Sequence, residues 1–304
     1  MKMLATCALL LCANLLTDSA AYAAEPSLSF GPVAENGVVQ IRSRDTRQQL
    51  FVTFTSEGGE VDITRDATYA VHPEGVLQID ETGLVTPLAD GEAVIKATRA
   101  EQSCEVKVNV SGFANPLPIN FGNKVVPVFS KLGCNGGGCH GKSGGQNGFK
   151  LSLLGFYPDD DFEFLRKESR GRRIFPAAPE RSLLLTKATG AAPHGGGKRM
   201  TTDSYEYRTL ISWIEQGMPF GAPDAPTVAA IQCYPQARVM TQNTEQQISV
   251  IATYSDGTTE DVTRMALYEP NDSEMAECDE TGLVRTLDLA GEVAIMARSQ
   301  GQAS

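Results

Sequence analysis

Positive charge is in short supply in this chain. Its 304 residues carry 26 Lys and Arg against 37 Asp and Glu, a formal net charge of −11, which argues against a nucleic-acid partner. Long hydrophobic runs are nearly absent as well. The one largely apolar run, Leu4 to Leu16, is too short for a comfortable transmembrane helix, so no transmembrane span is expected. Histidine is scarce, three in all, and no Ser-His-Asp or paired-carboxylate arrangement is legible. Asp159-Asp160-Asp161 follows Pro158 and reads as the start of a helix rather than a metal cage.

The one apolar run has a different use. Met1-Lys2-Met3 precedes it and Ala21-Tyr22-Ala23 follows it. Basic start, apolar middle and small-residue cleavage site mark residues 1–23 as a signal peptide. Cys7 lies too early in the run for a lipoprotein anchor. The mature chain is therefore expected outside the cytoplasm, periplasmic, cell-surface or secreted, where disulfides persist.

What the sequence does have is a repeat around a different middle. Asp80-Glu81-Thr82-Gly83-Leu84-Val85 recurs as Asp279-Glu280-Thr281-Gly282-Leu283-Val284, and Asp62-Ile63-Thr64-Arg65 recurs as Asp261-Val262-Thr263-Arg264. One domain type is used twice. Each copy alternates short strand-like runs with turn signals. Cys104, Val106, Val108 and Val110 share one face of such a run, as in a half-buried strand of a sandwich. Ser304 falls where Cys104 lies in the first copy, so the second copy is expected to lack its final strand and the chain to be part of something longer. Cys104, Cys233 and Cys278 all face inward by strand alternation, and Cys233 and Cys278 are candidates for a bridge between sheets.

The middle, residues 113–220, has 14 Lys and Arg against 9 Asp and Glu, near +5 inside an acidic chain. Val125, Val128, Phe129 and Leu132 have helical spacing, with Pro127 tolerable in the first turn. A second helix is expected from Asp203 or Ser204 to about Gln216, stopped by Gly217. Its apolar stripe is Tyr207, Leu210, Ile211 and Ile214, with Trp213 beside it, and the two helices are expected to pack together.

Between these helices lies Cys134-Asn135-Gly136-Gly137-Gly138-Cys139-His140. Two cysteines followed at once by a histidine is the order in which haem c attaches: two thioethers to the porphyrin and an adjacent imidazole for the iron. The usual spacer is two residues. Here it is four, and Asn-Gly-Gly-Gly can loop out the excess. His140 is the proximal candidate. The distal candidates are Met200, favoured because it lies just before the last helix, and His194 in a glycine loop; an open sixth position is a further option. Arg166, Lys167, Arg170, Arg172 and Arg173 form a basic cluster whose guanidinium groups suit haem propionates, or equally make a solvated face that steers an acidic redox partner. The same stretch matches a phosphate-binding loop, Gly136 to Ser143, but Gly144-Gly145-Gln146-Asn147-Gly148 cannot open the helix that such a loop needs.

Leu132-Gly133-Cys134-Asn135, Cys139-His140-Gly141, Asn147-Gly148-Phe149-Lys150-Leu151-Ser152-Leu153, Gly171-Arg172-Arg173, Pro193-His194, Gly196-Gly197 and Ser212-Trp213-Ile214-Glu215-Gln216-Gly217 resemble the cytochrome-c-like module of large secreted planctomycete proteins. Tyr254 to Thr263 resembles the bacterial immunoglobulin-like group 2 domain. In that family the module is accompanied by such domains and followed by two large uncharacterised ones. The resemblance implies a multidomain architecture. Its parts are an all-β Ig-like sandwich (25–112), a mainly α cytochrome-c-like domain (113–220), a linker (221–230) and a second, truncated all-β Ig-like sandwich (231–304). The expected function is one-electron transfer through one covalent haem c, with Ig-like domains for display or for a surface or polysaccharide ligand. Two alternatives stand beside it: a non-redox surface binding protein with a Cys134–Cys139 disulfide, and the N-terminal part of a larger extracytoplasmic enzyme. An electron carrier or binding protein fits these residues better than an enzyme.

Overall fold

The computed structural model describes residues 25–34 and 36–304; the expected signal peptide, Cys7 included, lies outside the described residues. The chain is mostly β, with few helices, all of them in the middle segment among the described residues. In the first copy, strands Ser27–Gly31, Phe51–Ser56 and Gly59–Asp62 make one antiparallel sheet. Thr68–His72, Gly91–Arg99 and Gln102–Val110 make a second, with Val38–Ile41 added in parallel at its edge. Gln48–Gln49, Leu84–Pro87 and Leu77–Ile79 form a small third sheet.

The second copy repeats this plan. Val228–Tyr234, Ser249–Tyr254 and Thr259–Asp261 form one sheet, Leu267–Pro270, Ile295–Ser299 and Gln302–Ala303 another, and Glu245–Gln247, Leu283–Thr286 and Ala276–Cys278 a third. Alternation drives burial as expected: Val106, Val108 and Val110 are buried while Lys107 is exposed. The repeated Asp-Glu-Thr-Gly motif is a turn. One carboxylate oxygen of Asp80 accepts from the Thr82 and Leu84 amides, and Asp279 does the same for Thr281 and Leu283. Gly83 has φ +79, and a Cβ there would meet the Leu50 carbonyl oxygen at 2.3 Å, so only glycine fits.

The middle segment starts with a π-helical turn, Phe121–Val125, running into α1, Val126–Lys131, with Pro127 in its first turn. Helix α2 spans Pro158–Arg166, α3 Leu183–Ala188 and α4 Tyr205–Glu215. Ser204 caps α4 by accepting from the Tyr207 amide, and Gly217 with φ +81 follows its end. Trp213 is not beside the apolar stripe but at its centre, with no exposure at all. Its ring lies 5.4 Å from that of Phe121, so α4 packs on the turn that leads into α1. Asp161 is buried in α2 and accepts from the Ser152 amide and hydroxyl, a structural use of the acidic run.

The two β copies are held differently. The second shares one continuous apolar core with the helices, in which Phe121, Phe129 and Trp213 join Ile231, Val250 and Ala266. The first has cores of its own, around Ile41, Leu50 and Ile95 and around Val52 and Ile63. Its contacts with the rest are polar and reciprocal. One oxygen of Asp62 accepts from the Thr64 amide in its own turn; the other accepts from the Gln247 amide and the Gln246 side chain in the second copy. Asp261 mirrors this with Thr263 at home and Gln49 and Gln48 across. Arg65 donates to Gln247 and Arg264 to Gln49. The repeated Asp-x-Thr-Arg motif thus builds a two-fold-like contact between the copies.

Burial raises both carboxyls, Asp261 to about 6. A carboxyl held above its unfolded value binds its proton more firmly when folded, so its stabilisation is present at low pH and lost as pH rises through about 6. Relative to Asp261→Asn, the wild type should gain up to about 3 kcal/mol as pH falls from about 7 to about 4. Urea unfolding of both chains at each pH measures this. A difference independent of pH would show that Asp261 is ionised throughout.

Candidate functional site

The loop between the two cysteines begins where α1 ends. Cys134 donates its amide to the Phe129 carbonyl, and the chain reverses so that His140 donates to the Cys134 carbonyl at 3.0 Å. Gly136 accepts from the Cys139 and Gly141 amides, closing the loop on itself. Gly137 and Gly138 project as exposed residues, so the excess length of the spacer bulges outward. A Cβ on Gly141 would lie 2.0 Å from the Asn135 carbonyl oxygen, which makes this return path possible only with glycine there. No helix follows, as the rejection of a phosphate-binding loop requires.

Cys134, Cys139, His140 and His194 line one cavity of about 570 Å³, within the range of cofactor sites. Phe129, Phe149, Leu183, Leu184 and Ala188 give it apolar walls; Gln146, Asn147, Arg172, Arg173, Lys187 and Arg199 give it polar ones. No carboxylate lines it. The His140 and His194 rings are nearly parallel, 7° apart, with centres separated by 6.5 Å. His140 Nδ1 lies 3.0 Å from the Phe149 carbonyl oxygen and His194 Nδ1 lies 2.8 Å from that of Gly197. A carbonyl only accepts, so each Nδ1 carries a proton. Burial lowers the pKa of His140, which favours the neutral ring. Burial, with Cys139 nearby, pushes the Cys134 thiol up to about 11.

Met200 is elsewhere. It is 5 % exposed, packs in the apolar core, and does not line the cavity. Position before the last helix suggested it as the distal ligand; the chain instead turns it inward, where its amide donates to the Ala188 carbonyl. The basic cluster also disperses. Arg173 is buried and its guanidinium is engaged by the Phe164 and Gly148 carbonyls while it stacks over Phe149. Arg166 lies over the Phe162 ring. Of the cluster only Arg172 is both exposed and on the cavity wall. Lys187 and Arg199 stand there unforeseen, because α3 and the glycine loop bring them in and no local pattern marks them.

No protein-family model matches the chain. No curated protein matches it either. Among solved structures, domains 5–6 of the S-layer protein SbsC align with 91 % of this chain and 94 % of theirs, at 10 % identity and a TM-score of 0.31. Domains 1–6 of SbsC align with 93 % of this chain, at 10 % identity and a TM-score of 0.22. This chain spans only 27 % of that structure's length. The insect immune protein hemolin covers 28 % of this chain, with 12 % identity and a TM-score of 0.18. Scores this low do not establish a shared fold.

Among the described residues no helix is long and apolar enough to cross a membrane, and no three His, Cys, Asp or Glu cluster as a metal cage. Cys104, Cys134, Cys139, Cys233 and Cys278 are unpaired in this structure.

Proposed function

We propose that the chain is an extracytoplasmic protein of the planctomycete secreted type, carrying one covalent haem c for one-electron transfer between two Ig-like sandwiches. The observation that carries the reading is the one cavity lined by Cys134, Cys139, His140 and His194. His140 and His194, their rings 7° from parallel, would hold the iron. A haem iron needs only two protein ligands, so the absence of a larger donor cluster among the described residues is no obstacle.

Cys134 and Cys139 on the same cavity wall would carry the two thioethers. Arg172, Lys187 and Arg199, with no carboxylate opposing them, suit two propionates. When bound, the haem supplies a one-electron iron couple, and the residues around it fix its ligands, polarity and access. The Nδ1–carbonyl bonds of His140 and His194 would fix the orientation of the two rings. Phe149 and Leu184 would give a bound ring apolar contacts. The positive wall makes an acidic protein the fitting redox partner. The Ig-like copies would serve display, or hold a surface or polysaccharide ligand.

The test is maturation of the full chain in a system that accepts a four-residue spacer. The expected product keeps its haem through denaturation, and Cys134→Ala with Cys139→Ala abolishes the covalent attachment. A haem-free product with a Cys134–Cys139 disulfide, found by mass spectrometry, would replace this reading with that of a non-redox binding protein.

A further inference from the structure

We propose that a second surface hollow, between residues 150 and 164, binds a phenol-class ligand: a flat aromatic ring with a hydroxyl at its edge. The proposal is independent of any haem. The hollow has a volume of about 460 Å³, within the range of small-molecule sites. Leu153, Leu154, Phe156 and Tyr157 line it, and all four are exposed, Phe156 by 76 %. Large apolar side chains exposed this close together form a patch that a partner covers.

The backbone holds these side chains outward. Leu154 has φ +55, a conformation unfavourable for any residue with a Cβ. Gly155 follows at φ +77 and sits against Val126, where an added Cβ would clash. The Leu154 amide donates to the Asn135 carbonyl, that of Gly155 to Ser152 and that of Phe156 to Leu153. The Tyr157 amide donates to the Ser152 hydroxyl at 3.0 Å. Strain at Leu154, held by hydrogen bonds on both sides, marks a site organised before its ligand arrives.

The same bonds narrow the occupant. The amides from Leu154 to Tyr157 are all engaged, so an extended peptide finds no backbone donor there. The charged groups on the wall are Lys150 and Asp160, both exposed. Neither makes an ion pair among the described residues. The Ser152 hydroxyl is already bonded to Asp161. A sugar carries hydroxyls all round its ring and would set several against leucine and phenylalanine without partners. Asp159 and Asp160 open the adjoining helix α2 and oppose an anionic membrane surface. A phenol suits what is there. The Phe156 and Tyr157 rings meet at 81° with centres 4.9 Å apart, so they offer a face and an edge to a third ring. A phenol hydroxyl can donate to the Asp160 carboxylate and accept from the Lys150 ammonium, which lies 5.4 Å above the Phe164 ring.

The experiment titrates the full chain with p-cresol and follows the amide shifts of residues 150–164. A saturable shift there is the expected result. Affinity for p-cresol should exceed that for its methyl ether, which lacks the O–H, by about fivefold. It should exceed that for the ring-saturated analogue by about fivefold as well. Asp160→Ala should abolish the preference over the ether. Phe156→Ala with Tyr157→Ala should abolish the preference over the saturated analogue. All three side chains are exposed, so the variants keep the fold. Equal affinity for the three probes, or shifts confined to the walls of the cysteine cavity, would overturn the proposal. So would shifts at 150–164 caused by a cello-oligosaccharide or by phosphatidylglycerol vesicles but not by p-cresol, which would assign the hollow to a sugar or to a membrane.

Discussion

His194→Ala should strip the matured protein of its second nitrogen ligand, changing the visible and electron-paramagnetic-resonance spectra, whereas Met200→Ala should leave both unchanged. The reason is geometric. His194 lines the cavity with His140, their ring centres 6.5 Å apart, while Met200 is 5 % exposed in the core and does not line it. Met200→Ala should instead lower stability by about 2–4 kcal/mol, the usual cost of deleting a buried aliphatic side chain. Spectra and urea unfolding of the two variants separate these effects. Two imidazoles also give a lower reduction potential than a histidine–methionine pair. If Met200→Ala removed a methionine–iron charge-transfer band, the assignment of His194 would be wrong.

Glu260→Ala should strongly destabilise the chain. Glu260 joins all three parts of the chain. It pairs with Lys124 from the turn before α1, accepts from the Tyr254 hydroxyl in its own sheet at 2.8 Å, and accepts from Thr46 of the first copy. Burial opposes the charge on both partners, yet each offsets the penalty on the other. Lys124 ends above its ordinary value and Glu260 below its own. Removing the carboxylate leaves a half-buried ammonium without a partner, at a cost of about 3 kcal/mol. The double change Lys124→Met with Glu260→Leu should recover most of that loss, because it leaves no unpaired charge. Denaturant midpoints of the single and double variants decide it. Equal losses in both would mean that packing, not charge, explains the damage.

Much of the framework was legible because it is local. The strand from Gln102 to Val110 showed its alternation directly, and α4 showed its Ser204 cap and Gly217 stop. The repeat at Asp80 and Asp279 announced two β copies. Its purpose was only half visible. The turn made by one oxygen of Asp62 is local, but the bond made by the other to Gln247 joins residues 185 apart in sequence. Trp213 was placed beside a stripe because helical spacing ignores what lies across the contact, and Phe121 lies across it.

The cavity divides in the same way. By itself the sequence determined the Cys134–Cys139–His140 loop, since adjacency along the chain guarantees adjacency in space and glycine alone allows the return at Gly141. It also determined that His194 sits in a glycine loop and Met200 next to a helix. Only the tertiary structure puts His194 on the cavity wall and Met200 in the core. Which of two side chains, 54 and 60 residues beyond His140, reaches the cavity depends on how α3 packs and where the chain after it turns. The same packing spent Arg173 on backbone carbonyls and brought Lys187 and Arg199 to the wall. Burial favours the apolar thioether of Met200 and exposes the polar imidazole of His194, and that balance is set by the whole core rather than by any stretch of sequence.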